Sequence, residues 1–144
     1  MKRKIHTIMA NSHTAVGIHE GSLTKHTKLG DLKAHTLICF DGDANYVKTC
    51  GINDVPWGIC QQDADEKESI VSIQPLSSCA KTAQLRLNSD VQAGQFICLD
   101  DNGKVKALPT TAGIYNVVGI ALNTGKNNEC IEALTSLPHN IEIK

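Results

Sequence analysis

Aromatic side chains are scarce: one Trp, two Tyr and two Phe, 3% of 144 residues. A core must therefore be assembled from Ile, Leu, Val and Ala, and a carbohydrate site, which draws on exposed aromatics, has little to work with. Charge of one sign is also missing. Lys and Arg number 14 against 15 Asp and Glu, for a net charge of -1. Nothing in that balance points to nucleic acid, which calls for a basic patch or stripe. The one basic cluster is Lys2, Arg3 and Lys4. No long apolar run exists. "IHTIMANSHTAVGIHEG", which follows the first four residues, is broken by His, Asn and Ser. It is neither a secretory apolar region nor the 20 or so apolar residues of a membrane span. The expectation is a soluble protein made in a cytoplasm, with no membrane partner.

Sequence signatures of catalysis are absent too. G-x-S-x-G, the phosphate-binding loop, G-x-G-x-x-G and H-E-x-x-H do not occur. Six cysteines at 39, 50, 60, 79, 98 and 130 include no C-x-x-C pair. Most sit in apolar settings such as "LICF", "WGIC" and "FICL", which reads as small buried hydrophobes. Their even number also allows three disulfides, although no targeting signal supports that use. Five of the six histidines, at 6, 13, 19, 26 and 35, lie early in the chain, away from most cysteines. Spaced along an extended segment, they do not converge on one ion. The acidic run "DADE" at 63–66 reads as a solvated loop; the alternative, a cation site, lacks the glycine of a calcium loop. The expectation is no catalytic residue, no metal and no cofactor, hence no enzyme. Trp57 reads as a core anchor or, alternatively, an interface anchor, since Trp is enriched at binding hot spots.

What is present is a succession of short apolar runs divided by turn residues. Residues 1–30 carry few bulky apolar groups and no clear period, and read as an extended N-terminal arm. Lys2, Arg3 and Lys4 on that arm either meet an acidic surface or are solvated. After Asp31 the pattern changes. "TLICF", "DGD" and "NYVKT" read as one hairpin, and "GQFICL", "DDNG" and "KVKAL" as another, with Asn102-Gly103 a strong turn signal. "SIVSIQPL", "TAQLRLNSD", "YNVVGIAL" and "CIEALTSL" are further strands. The polar stretch 61–69 is a loop. The fold class is all-β.

The runs also recur. "DLKAHTLICFD" at 31–41 aligns with "DVQAGQFICLD" at 90–100, a shift of 59, with Asp31/Asp90, Ala34/Ala93, Ile38/Ile97, Cys39/Cys98 and Asp41/Asp100 identical. Residues 57–76 align with 118–137 at a shift of 61, pairing Gly58/Gly119, Ile59/Ile120, Glu68/Glu129, Ile70/Ile131 and Leu76/Leu137. Two similar units, 31–76 and 90–137, then make one β domain over 31–144, a compact barrel or sandwich of two related halves. "TLICF" and "QFICL" are apolar on both faces, so each such strand is covered on both sides, by the other repeat or by another subunit. A glycine within a strand, as at 58 and 119, marks a bulge, a bend or a close backbone approach.

Residues 90–137 carry a further pattern: Asp90, Ala93-Gly94, "QFICLDDNGKV", "VVGIAL" at 117–122 and "ECIEAL" at 129–134. This resembles the capsid cement proteins of tailed bacteriophages, small head-decoration proteins. The likeness extends to 31–76 through the repeat, where His35 replaces the glycine and "PWGICQ" replaces "VVGIAL". It implies a virion protein on the outer surface of the head, a homotrimer whose partners are the major capsid protein and itself. Two other readings compete: a base or adaptor for a head fibre or tail spike, and a small ligand-binding β-barrel.

Overall fold

The computed structural model describes residues 21–76 and 81–144. Ten strands run in chain order as β1 (Leu23–His26), β2 (Leu37–Phe40), β3 (Val47–Thr49), β4 (Gly58–Cys60), β5 (Ile70–Pro75), β6 (Ala83–Arg86), β7 (Phe96–Leu99), β8 (Val105–Ala107), β9 (Gly113–Ala121) and β10 (Cys130–Ile143). Among the described residues there is no α-helix, only a short 3-10 turn at Asp101–Gly103. The all-β class therefore holds.

The strands form two five-stranded antiparallel sheets, ordered β1-β5-β4-β2-β3 and β6-β10-β9-β7-β8. Replacing each strand of the first order by the one five later yields the second order, so the two halves share one topology. The likeness reaches single hydrogen bonds. Leu32 and Ala64 exchange both backbone bonds, at 3.0 and 2.9 Å, as do Val91 and Gly125, at 2.9 Å each. In each half the outermost strands are drawn together by a parallel bridge, His26 to Tyr46 and Leu87 to Val105, which curls the sheet towards a barrel.

Two features differ from the sequence expectation. The first is that β1 lies within the segment read as an arm. "LTKH" has little apolar content, but its backbone completes the first sheet by pairing Leu23 with Ile73 and His26 with Ile70. Residues 1–20, with Lys2, Arg3 and Lys4, lie outside the described residues. The second concerns the later repeat block. Gly58 matches Gly119 at a shift of 61, but β1 and β6 pair His26 with Ile70 and Arg86 with Cys130, so β5 matches β10 at a shift of 60. The equivalent of Ile70 is thus Cys130, and that of Val71 is Ile131. The loop after Gly125 is one residue shorter than the loop after Ala64, and a one-residue slip exchanges the faces of a strand. Val71 and Ile131 are both buried, as shared inward positions require.

Two apolar clusters hold the molecule together. The smaller contains Leu32, Ile38, Val47, Val71 and Ile73, with Trp57 packed against it. The larger joins Leu85, Ile97, Val105, Val118 and Ile131 of the second half to Leu37, Ile59 and Leu76 of the first. Strand β2 is therefore covered on both faces. Ile38 faces the smaller cluster and Leu37 the larger, and for Leu37 the cover is the other half. Each such Leu or Ile contributes about 1.5–3 kcal/mol on burial.

The junction is closed by backbone bonds. Arg86 N donates to His35 O at 2.9 Å, and Gly103 N donates to Cys50 O at 2.8 Å. Asn102 and Gly103 both take positive φ, +57° and +69°, the turn backbone their residue types favour. Gly103 is also required by space, because a Cβ there would lie 2.6 Å from Leu37 O.

Candidate interaction surface

Four of the five described thiols are poor nucleophiles. Cys39, Cys50, Cys60 and Cys98 are all buried. Burial is the leading reason their pKa values rise, with that of Cys98 reaching about 11. Cys50 is raised further by Cys39, with which it shares a hydrogen bond. A neutral, enclosed thiol is a small hydrophobe that does not attack substrates at neutral pH. Cys79 lies outside the described residues.

One cleft brings together groups the sequence holds far apart. It encloses about 600 Å³ between the halves and is lined by His35, Gln61, Gln74, Gln84, Cys130 and Glu132, among others. Gln74 Nε2 donates to Thr82 O at 3.4 Å, and Thr82 Oγ1 donates to Glu132 Oε2 at 2.6 Å, so part of this lining ties the halves together. His35 and Cys130 both border the cleft and make no hydrogen bond to each other. Among the described residues, no group of three His, Cys, Asp or Glu side chains is placed to hold a metal ion. The acidic side chains of the "DADE" run are exposed, as in a solvated loop, and two of them make contacts. Asp63 Oδ1 accepts from Ala34 N at 2.8 Å, and Asp65 pairs with Lys33 at 2.8 Å.

Trp57 is half-buried. Its ring stacks on Phe40 with centroids 4.9 Å apart, and Phe40 remains 50% exposed. Trp57 is thus a core anchor in the first half, with Phe40 carrying the aromatic pair to the surface. Trp57 stands out in the sequence as the lone tryptophan, and Phe40 does not stand out. The signal was present in "TLICF", where Phe40 shares the inward side of β2 with Ile38 and sits at the strand's end. Beside it, Lys28 lies over the Tyr46 ring at 5.3 Å, and Tyr46 OH donates to Glu68 Oε2 at 3.3 Å. The charge of Glu68 raises the Tyr46 pKa.

The second half presents a different surface. Phe96, Ile120 and Leu134 line an apolar groove of about 270 Å³ on the outer face of the second sheet. Phe96 is 47% exposed and Leu134 is 52% exposed. A register break lies next to the groove, between Ile97 and Cys98 on β7, and another lies between Thr135 and His139 on β10. Gly119 sits between them because a Cβ there would run into Leu134 O.

These features define a tandem β module with a sealed junction and two unlike outer surfaces. No family model matches the sequence, and no curated protein matches it. Among solved structures, the fold is similar to the N base of head fiber gp8.5 of bacteriophage phi29. The two are 18% identical with a TM-score of 0.62, over 81% of this chain and 94% of that chain. The likeness establishes a shared fold. Among the described residues, no helix is long and apolar enough to cross a membrane.

Proposed function

We propose that this chain is a structural protein of a bacteriophage virion, seated on the outside of the head, where it ties neighbouring major capsid subunits together as a homotrimer. The observation that carries this reading is the fold likeness, which spans nearly all of a head fiber base. The sealed junction and the buried, protonated thiols agree with a mechanical role. Cementing of this kind works through area buried across subunit boundaries, and multiple copies supply avidity, so each contact can be modest. Lys2, Arg3 and Lys4 are assigned to the capsid contact. In a second reading the chain is the base on which a head fibre stands. The same likeness favours it, since the structural neighbour is such a base.

The test is to mix purified protein with expanded heads stripped of decoration. Binding at a fixed copy number with a raised head melting temperature supports the cement reading. Binding that leaves head stability unchanged but recruits a fibre protein supports the base reading. Failure to bind heads overturns both. A chain lacking residues 1–16 should bind more weakly, and unchanged binding would remove the arm from the contact.

A further inference from the structure

The two halves offer an internal comparison. In the first half, Leu37 pairs with Ile59 and Ile59 with Gln74, forming one cross-strand row on the outer face of the sheet. In the second half the same ladder positions are Phe96, Ile120 and Leu134. The first row is covered by the second half, with Leu37 0%, Ile59 2% and Gln74 7% exposed, and only the Ile59–Gln74 end borders the cleft between the halves. Its counterpart lies open in the groove described above. The open row is also the more apolar of the two. Where the buried row carries Gln74, bonded to Thr82 O across the junction, the open row carries Leu134. A face that stays in water has no reason to be more apolar than its buried twin, and large exposed apolar patches mark interaction sites.

The surface that seals the first row also has a counterpart. The seal is formed by the start of β6, with Ala83 and Leu85 in the shared core, and by the Asp101–Gly103 turn. The equivalent positions in the first half are Leu23 and Lys25 on β1, by their pairing with Ile73 and Val71, and the turn at residues 42–45. These lie together: Lys25 Nζ donates to Ala44 O at 2.7 Å, and His26 N donates to Asn45 O at 2.9 Å. Residues 42–45 are exposed. Among the described residues the chain thus leaves one socket open and one plug exposed, and the junction between its own halves shows how such a plug meets such a socket.

We propose that the Phe96–Ile120–Leu134 row is covered by the first half of a second copy of this chain. The copies are joined head to tail, so that the contact between chains reproduces the contact within one. Such a contact is heterologous, and it closes into a ring when its rotation closes. The turn at 42–45 is one residue longer than its counterpart and has no glycine where Gly103 approaches Leu37. The contact between chains is therefore less intimate than the internal one.

Light scattering on the purified chain tests this without any capsid, so failure of the virion reading and failure of this one are separable. The wild type should have a fixed mass at a whole multiple of 15.5 kDa, two or more. Leu134→Asp alters the socket and Ala44→Arg alters the plug. Both positions are exposed, so circular dichroism should remain native. Each variant should raise the concentration needed for assembly by about 30-fold or more, the loss expected of an interface anchor. Mixed together, the two variants retain one intact plug and one intact socket, and should pair at twice 15.5 kDa. Should Leu134→Asp lose its native spectrum, Phe96→Ser replaces it. A monomeric wild type, or an oligomer untouched by either variant, overturns the proposal. So does a mixture that stays monomeric, and so does an Ala44→Arg variant that still assembles like the wild type, the outcome expected if sockets met sockets.

Discussion

His35 takes a backbone φ of +67°, where its counterpart Gly94 has φ +89°. A residue with a Cβ gives up about 1–2 kcal/mol in that region. His35→Gly should therefore stabilise the fold by about 1 kcal/mol in urea unfolding, net of the extra freedom glycine gives the unfolded chain. A destabilised variant would instead show that the imidazole supports the cleft it borders. The buried thiols set a pH dependence. Their folded pKa values lie above the unfolded value of about 8.5, so the folded state holds these protons more tightly. The stability they contribute is complete below about pH 8.5 and is lost as pH rises, for Cys98 through about 11. Unfolding measured from pH 7 to 10.5 should show stability falling, with a shallower fall in Cys98→Val. Identical slopes would contradict a neutral buried thiol. In the sequence, the apolar settings of the cysteines were enough to identify them as core. That His35 and Cys130 border one cleft was not readable, because it depends on how one half turns against the other.

The turn between β7 and β8 does two jobs: it closes a hairpin and inserts into the first half. Gly103 lies in this turn, and Gly94, in the turn before β7, is a control for the backbone conformation alone. Both have positive φ, but nothing lies within 4 Å of a Cβ placed on Gly94, whereas one on Gly103 would meet Leu37 O at 2.6 Å. Gly94→Ala should cost only the backbone term, about 1 kcal/mol. Gly103→Ala should cost at least about 1 kcal/mol more, because the turn must lift off β2. Equal losses in chemical denaturation would mean that the turn is not pressed into the junction. Strands β2, β3, β5, β7 and β8 were legible from their apolar runs and flanking turns. Strand β1 was not, because "LTKH" carries no alternation of its own and becomes a strand by pairing with β5. The length of β10 was partly hidden as well. "IEIK" alternates, and the structure shows Ile141 and Ile143 pairing with Tyr115 and Gly113 of β9.

At the scale of the whole molecule, the tandem makes two equivalent rows unequal. Leu37→Ala removes a fully buried side chain at the junction and should cost about 2–5 kcal/mol. Phe96→Ala occupies the matching ladder position, and in dilute protein below its assembly concentration it should cost less than about 1 kcal/mol, as surface changes do. Thermal unfolding of the two variants at low and high protein concentration separates the effects. Only Phe96→Ala should lose more stability as the concentration rises, because assembly stabilises the folded state by mass action. A large loss for Phe96→Ala in the dilute monomer would mean that the groove is part of the folded core. The fold likeness to a head fiber base leaves this comparison unaffected.

The sequence by itself determined the class of fold, the repeat and the chemical character of the core. All three follow from local patterns: alternating apolar runs, turn residues, and the recurrence of both at a shift near 60. Tertiary structure alone decided the true register of the later repeat block. A one-residue difference in a polar loop leaves no clear trace in composition, yet it exchanges the two faces of a strand. It also decided which of two like rows is sealed and which is open. Leu37 and Phe96 are equivalent by sequence, and their burial differs because a chain of two units has only one internal junction.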